Sequence, residues 1–563
     1  MRSAVVLWCL VVCVGLSESH DREERLVRIS QGPVRGYKEA ADDFFGFYGI
    51  PYATAPTGKH RFKAPLPAPE WLSTFEAVQK NIVCPQVIVP YLIGEDAMVQ
   101  EDCLVANILV PDTNETNLPV AVYVHGGGFQ IGHGRMFMSK KILNHKKFII
   151  VNFNYRLGAH GFLCLGTEAV PGNAGMKDQV ALLRWVKKNI ANFGGNPSEV
   201  TIWGSSAGSS AVDLLMLSPS TKGLFNKVIP ESGANLAAFS VQTDPIANAI
   251  EYALLQNLTD VENIHTLEEF YTSAPIGALF KNSFIDRKDS TFVFSPCVER
   301  KTKEEAFLED SPYNILKSGK YEKVPILYGF ANMEGLMRIA LFDMWKENMN
   351  EKFSDFLLPD LQFRNNDEKE KVSEKVKEFY FGDKKITEEN VIDYIDYFSD
   401  VIFTYGTLRA VGLHVNAGHD KVYLYEYSYV NEMDNVNSPL VPHTNNVRGA
   451  NHCSQSAAVF DGLGLVRVDE DTLPKEYQDV KQYLRQMWTN FITTGSPVPS
   501  GSSLPKWPAA RAQGSPYMSL GATPQLRTDA LLNKRVRFWD GVYERHYRAP
   551  QPPPAPSTRH TEL

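Results

Sequence analysis

The chain has little that would tie it to a metal, a nucleic acid or a membrane. None of its seven cysteines stands in a Cys-x-x-Cys pair and no His-Glu-x-x-His occurs, so no metal site is expected. The net charge of −8 over 563 residues is mild and mixed along the sequence, leaving no basic face for nucleic acid or an anionic membrane. Beyond the N-terminus no segment holds about 18 uninterrupted apolar residues, so no membrane span is expected. No internal repeat and no linker-like stretch divides the body. What is present is an ordinary globular composition, and its 44% of apolar residues suffices for a large core.

Both ends read as addresses. Arg2, an apolar run from Ala4 to Val14 and small or polar residues to Ser19 form an expected secretory signal over 1–19, cleaved near Ser17 or Ser19. A proline-rich tail, assigned to 549–563, ends in His560-Thr561-Glu562-Leu563. That tetrapeptide is similar to the signals read by the receptor that returns proteins to the endoplasmic reticulum. The lumen is therefore the expected location, with secretion the alternative. Asn114-Glu115-Thr116 and Asn257-Leu258-Thr259 are glycan acceptor sequons consistent with that compartment. Once Cys9 and Cys13 leave with the signal, Cys84, Cys103, Cys164, Cys297 and Cys453 remain, an odd count that leaves at least one unpaired or paired between chains. A bridge between Cys84 and Cys103 would close a short loop and contribute about 3 kcal/mol.

Short strands are predicted at Leu26 to Ile29, Val34 to Tyr37 and Phe44 to Tyr48, then buried strands at Val120 to Val124 and Phe148 to Asn152. From about Met176 to Phe193, Val180, Leu183, Val186 and Ile190 recur at helical spacing, with Lys187 and Lys188 outside. Further strands are expected at Val200 to Trp203, Lys227 to Pro230 and Val324 to Gly329. Near-continuous apolar strands alternating with helices define an α/β chain with a mostly parallel, two-sided sheet. Residues 344 to 400 read as helical insertions, with the charged run Asn366 to Glu378 a solvated face.

Gly204-Ser205-Ser206-Ala207-Gly208 lies between the strand carrying Trp203 and a helix-like run from Ala207. A strand-to-helix turn that exposes its middle serine needs small residues two before and two after, so Ser206 is the candidate nucleophile. A serine hydroxyl also needs a base, an orienting acid and donors for the developing oxyanion. His125-Gly126-Gly127-Gly128-Phe129 follows the strand ending at Val124. Its consecutive glycines free main-chain N–H groups, and Gly127, Gly128 and Ala207 are the expected donors. The glycines at 132 and 134 give no Gly-x-Gly-x-x-Gly, which opposes a dinucleotide site.

At these motifs the chain resembles the type-B carboxylesterases, an α/β-hydrolase family that includes cholinesterases and juvenile hormone esterases. The similarity runs through nearly the whole mature chain, across Phe47 to Ala53, Arg61-Phe62, Glu101 to Leu104, Asn154 to Leu157, Gly172 to Gly175, Asp178-Gln179 and Phe193 to Pro197. It implies an α/β-hydrolase catalytic domain over 20–548, a large sheet flanked by helices, a Cys84–Cys103 bridge and no cofactor. It also implies a Ser–acid–His order, with Glu334 the acid in Gly329 to Gly335 and His452 the base in Gly449-Ala450-Asn451-His452. His443, nine residues earlier, is the rival base. The implied reaction is hydrolysis of apolar carboxylic esters of small molecules. Two alternatives stay open: a non-catalytic adhesion protein of the neuroligin type, and a slowly acylating binder.

The chain departs from the family where Ser205 replaces the usual Glu or Gln, and where Cys453-Ser454-Gln455 replaces a commonly acidic segment. Both changes remove negative charge around the base, so the pH dependence is expected to differ. Cys453 reads either as a small buried apolar residue or as an oxidisable thiol beside the base. The loop between Cys84 and Cys103 has no Trp, which argues against a quaternary ammonium substrate. Ser205 also weakens a juvenile hormone esterase reading and leaves a general or odorant-type carboxylesterase. Deleting His560 to Leu563 is expected to raise the secreted fraction of the expressed protein, measured in the medium; unchanged secretion would contradict the retention reading.

Overall fold

The computed structural model describes residues 23–555 apart from 40–42, 90–92, 95, 138, 281–285, 432–446, 463–468 and 512–514. The expected signal, the terminal tetrapeptide and the rival base His443 lie outside the described residues.

One thirteen-stranded sheet organises the chain. Its longer strands are β1 (Glu24–Ile29), β2 (Gly32–Lys38), β3 (Phe44–Pro51), β4 (Val105–Pro111), β5 (Leu118–Val124) and β6 (Ile149–Phe153), followed by β7 (Gly195–Ser205), β8 (Lys227–Glu231), β9 (Ile326–Ala331), β10 (Val422–Tyr427), β11 (Tyr517–Leu520) and β12 (Pro524–Arg527). They lie side by side as β1-β2-β3-β4-β6-β5-β7-β8-β9-β10-β11-β12. The two-residue strand Phe75–Glu76 pairs with β2. All contacts from β6 through β11 are parallel, while the flanking pairs are antiparallel. Parallel strands need crossovers that cover both faces, which is why β6 and β8 are buried at every position. Two apolar clusters result, one on each face of the sheet.

The order β6-β5-β7 means the chain leaves β5 on one side and returns on the other. Loops at the carboxyl ends of β5 and β7 therefore diverge and leave a crevice, the place where open α/β sheets bind ligands. Gly204 in β7 is level with Val124 in β5, so the glycine loop and the serine turn leave the sheet together.

Helix α1 (Ala174–Asn189) buries its apolar stripe and exposes Lys187 and Lys188, then tightens into a 3-10 turn over Ile190–Phe193. Helix α2 (Ala207–Leu217) starts directly after Ser206 and is buried along its whole length. The insertion expected at 344 to 400 is helical: α3 (Phe342–Glu351), α4 (Asn366–Phe381) and α5 (Val391–Ser399). Helix α5 continues through a π-helical stretch, Asp400–Thr404, into α6 (Tyr405–Asn416). The strands β4, β10, β11 and β12 were not anticipated from the sequence. Cys84 pairs with Cys103 as expected, and Cys164 pairs with Cys297, which leaves Cys453 as the free thiol among the described residues. No helix among the described residues is long and apolar enough to cross a membrane.

Candidate active site

The candidate residues come from the carboxyl ends of adjacent strands. Ser206 sits between β7 and α2 with φ 57° and ψ −126°, a conformation rarely adopted by a residue with a side chain. Such strain costs roughly 1–3 kcal/mol and persists only where the surroundings over-determine it. Here they do. A Cβ on Gly204 would run into the Gly208 carbonyl, and one on Gly208 into the Val124 carbonyl. The Ser206 N–H donates to the Glu231 carbonyl at 2.9 Å, tying the turn to the end of β8.

The Glu231 side chain is fully buried beneath this turn. Trp203 and Ser456 donate to one of its oxygens at 2.6 and 2.9 Å, Trp488 and Tyr425 to the other at 3.0 and 3.3 Å. Burial nevertheless pushes the Glu231 carboxyl up to about 7 against those four donors. Sequence reasoning missed this residue. Its only local signal is a charged residue ending an otherwise apolar strand beside the serine strand.

Glu334 follows β9 at the start of a 3-10 segment, Glu334–Leu341, and is fully buried. The Ala331 N–H donates to its Oε1 at 2.8 Å, and the Ser232 hydroxyl donates to the same oxygen. Gln455 in turn donates to Ser232 Oγ at 2.7 Å. The other oxygen, Oε2, is hydrogen-bonded to His452 Nδ1. Nε2 of the same ring lies 2.9 Å from Ser206 Oγ. Serine, imidazole and carboxylate thus form one unbroken hydrogen-bonded line.

His452 is held to the loop that carries Glu334. Met333 N–H donates to the Ala450 carbonyl at 3.1 Å, and Ala450 N–H donates to Asn332 Oδ1 at 3.2 Å. Gly449 is required for this docking, because a Cβ there would overlap the Met333 side chain. Phe403, from the π-helical stretch, stacks on the imidazole at 4.1 Å between centroids. Burial alone pushes the His452 imidazole down, but Cys453 and Glu334 outweigh it and hold the ring above its ordinary value.

The glycine loop closes the other side. A Cβ on Gly126 would lie 2.7 Å from the Ser205 carbonyl oxygen and 2.9 Å from Ser206 Cβ, so the loop lies against the serine turn. Gly127 and Gly128 both have positive φ, and their amides donate to no acceptor among the described residues. Ala207 is the first residue of α2, where helix N–H groups lack an intrahelical partner. Ser205, the departure from the family pattern, is 2% exposed, and its hydroxyl lies 2.7 Å from Tyr123 OH. Cys453 is half-buried rather than packed as a small apolar residue, with Sγ 3.4 Å from His452 Nε2. Asn114 and Asn257, the sequon residues, are exposed. A cavity of about 700 Å³ beside α1, lined by Gln31, Trp185 and Lys188, contains none of the candidate site residues.

The arrangement can pass a proton from a hydroxyl to a carboxylate-braced imidazole beside free backbone amides, and known proteins place it in a class. The carboxylesterase family profile matches residues 23–539. Esterase E4 of Myzus persicae is 31% identical over 90% of this chain and 92% of its own. Liver carboxylesterase 1 of Oryctolagus cuniculus is 30% identical, over 92% of this chain and 91% of its own. The crystal structure of juvenile hormone esterase from Manduca sexta, with OTFP covalently attached, has a TM-score of 0.81 at 28% identity. It covers 93% of this chain and 100% of its own. The chain belongs to the carboxylesterase family, with the α/β-hydrolase fold, and is a serine ester hydrolase.

Placing a carboxylate at Ser205 would add negative charge near His452, stabilise the imidazolium and raise its pKa further. Only the neutral ring can accept a proton. The acidic limb of kcat/KM is therefore expected to move to higher pH in Ser205→Glu, read from a pH–rate profile, and an unmoved limb would dismiss this electrostatic account.

Proposed function

We propose that this chain hydrolyses apolar carboxylic esters through an acyl-enzyme on Ser206, with His452 as general base and Glu334 as the orienting acid. The observation that carries the reading is the continuous line Ser206 Oγ–His452–Glu334 beside the glycine loop. His452 takes the Ser206 proton as the oxygen attacks the ester carbonyl, and Glu334 stabilises the resulting imidazolium. The tetrahedral oxyanion is held by the N–H groups of Gly127, Gly128 and Ala207, where loss of one donor costs about 3 kcal/mol. His452 then protonates the leaving alcohol. Water repeats the attack on the acyl group and frees Ser206.

The proposed preference for apolar substrates is supported by the apolar packing around the base. Phe403 stacks on the His452 ring, and Phe239 packs 5.6 Å from Phe403 and 5.1 Å from Phe292, so the base is backed by buried aromatic rings rather than by charge. Lipid-derived, odorant and xenobiotic esters fit that chemistry. The relatives known as juvenile hormone esterases support the first of these classes. The reading extends to a lumenal or secreted protein with glycans on Asn114 and Asn257, supported by two disulfides, which persist in oxidising compartments.

The test is a panel of naphthyl and nitrophenyl esters given to the purified protein and its Ser206→Ala variant. The wild type is expected to turn over at least one apolar ester, with kcat lower by about 10³ or more in the variant. Equal inertness of the two proteins would overturn the hydrolase mechanism, and a single acylation burst without turnover would favour the slowly acylating binder.

A further inference from the structure

Two protic groups reach the same nitrogen of His452. Ser206 Oγ stands 2.9 Å from Nε2 and Cys453 Sγ 3.4 Å from it, within hydrogen-bonding reach for sulfur. The neutral ring has one lone pair at Nε2, so it can accept a proton from only one of them at a time. The serine and the thiol compete. Among the described residues His452 is the only hydrogen-bond partner of the Cys453 thiol, which is neither sealed in the core nor taken up by a disulfide.

We infer that Cys453 is a second catalytic residue at His452, served by the same base as Ser206 and able to act as a nucleophile in its own right. This rests on His452 being the base in the reading above. A thiol that holds the Nε2 lone pair withholds it from Ser206 and slows acylation near neutral pH. When His452 instead accepts the thiol proton, the sulfur becomes a nucleophile of the Cys–His kind. With a small disulfide the step balances. The Cys453 sulfur attacks one sulfur, the S–S bond breaks, a mixed disulfide forms, and the departing thiol takes the proton from His452. The adduct stands against Nε2, where Ser206 must hand over its own proton, so modification shuts the esterase until a thiol reverses it.

The surrounding groups leave this competition to the two residues. Nδ1 is committed to Glu334, and Phe403 covers a ring face without a charge. Ser232 and Gln455 around Glu334 are neutral, and the Glu231 carboxyl is engaged by Trp203, Ser456, Trp488 and Tyr425. The buried hydroxyls of Tyr123 and Tyr425, both raised by burial, are the neutral titratable groups nearby.

The experiment follows alkylation of Cys453 by iodoacetamide at pH 7, quantified by peptide mass spectrometry, in wild type, Ser206→Ala and His452→Gln. Alkylation is expected to be about tenfold slower in His452→Gln, which has no base, and faster in Ser206→Ala, which has no competitor. Equal rates in wild type and His452→Gln would overturn the inference. In parallel, Cys453→Ala and Cys453→Gly, the second suited to the positive φ there, are expected to raise kcat/KM at pH 7 several-fold and move its acidic limb to lower pH. An unmoved limb in both variants would equally overturn it. Should the wild type hydrolyse no ester while its alkylation still depends on His452, the thiol assignment stands and the hydrolase reading falls.

Discussion

The backbone of Ser206 is the constraint on which the rest depends. A serine at φ 57° and ψ −126° relaxes unless its neighbours forbid it, and each neighbour that forbids it also builds the site. Gly204 and Gly208 bring the end of β7 against the start of α2 and the carbonyl of Val124. That contact fixes β5, and the glycine loop after β5 then has no course except past the serine. The hydrogen bond from Ser206 to the Glu231 carbonyl fixes β8 on the other side, and Gly329 at the level of Glu231 carries β9 to the turn bearing Glu334. One strained turn thus orders four strand ends.

The buried polar groups around this turn follow from the same requirement. Glu231 is a carboxyl with no solvent and four donors, an expensive arrangement unless every donor is fixed by packing. Two of those donors are tryptophans, on β7 and on the helix Lys475–Thr494, so the carboxyl cross-links the serine strand to a segment far along the chain. Arg156 plays a similar part further out. It pairs with Asp178 inside the protein and reaches the carbonyl of Arg61, joining three of the blocks that carry the family resemblance. Those blocks are scaffold. The chemistry lies in the few residues that they aim.

Much of this was legible in the sequence, and unevenly so. The strands around Val120, Phe148 and Trp203 and the helix from about Met176 fell where apolar runs and spacing put them, because burial on a sheet face or a helix stripe writes a local pattern, and the charged run near 366 is helical as expected. Strand β4 escaped because it follows the Cys103 block without a turn to mark it. β10 mixes apolar and polar residues late in a largely helical region, and β11 and β12 are only four residues each. The site was legible as motifs and illegible as contacts. Nothing near Phe403 says that it covers His452, nothing in Ser232 says that it braces Glu334, and the Ser205–Tyr123 bond joins residues 82 positions apart. The position of Cys453 beside the base was written in the sequence, but which of its two readings applied depended on where the side chain turned.

The central claim is that Ser206 is activated by this particular line of residues, and covalent labelling tests it most directly. The native protein, treated with a fluorophosphonate and mapped by peptide mass spectrometry, is expected to carry one adduct, on Ser206, with labelling slowed by orders of magnitude in His452→Gln and abolished by prior unfolding. Labelling of another residue, or of Ser206 at the same rate without His452, would contradict the account.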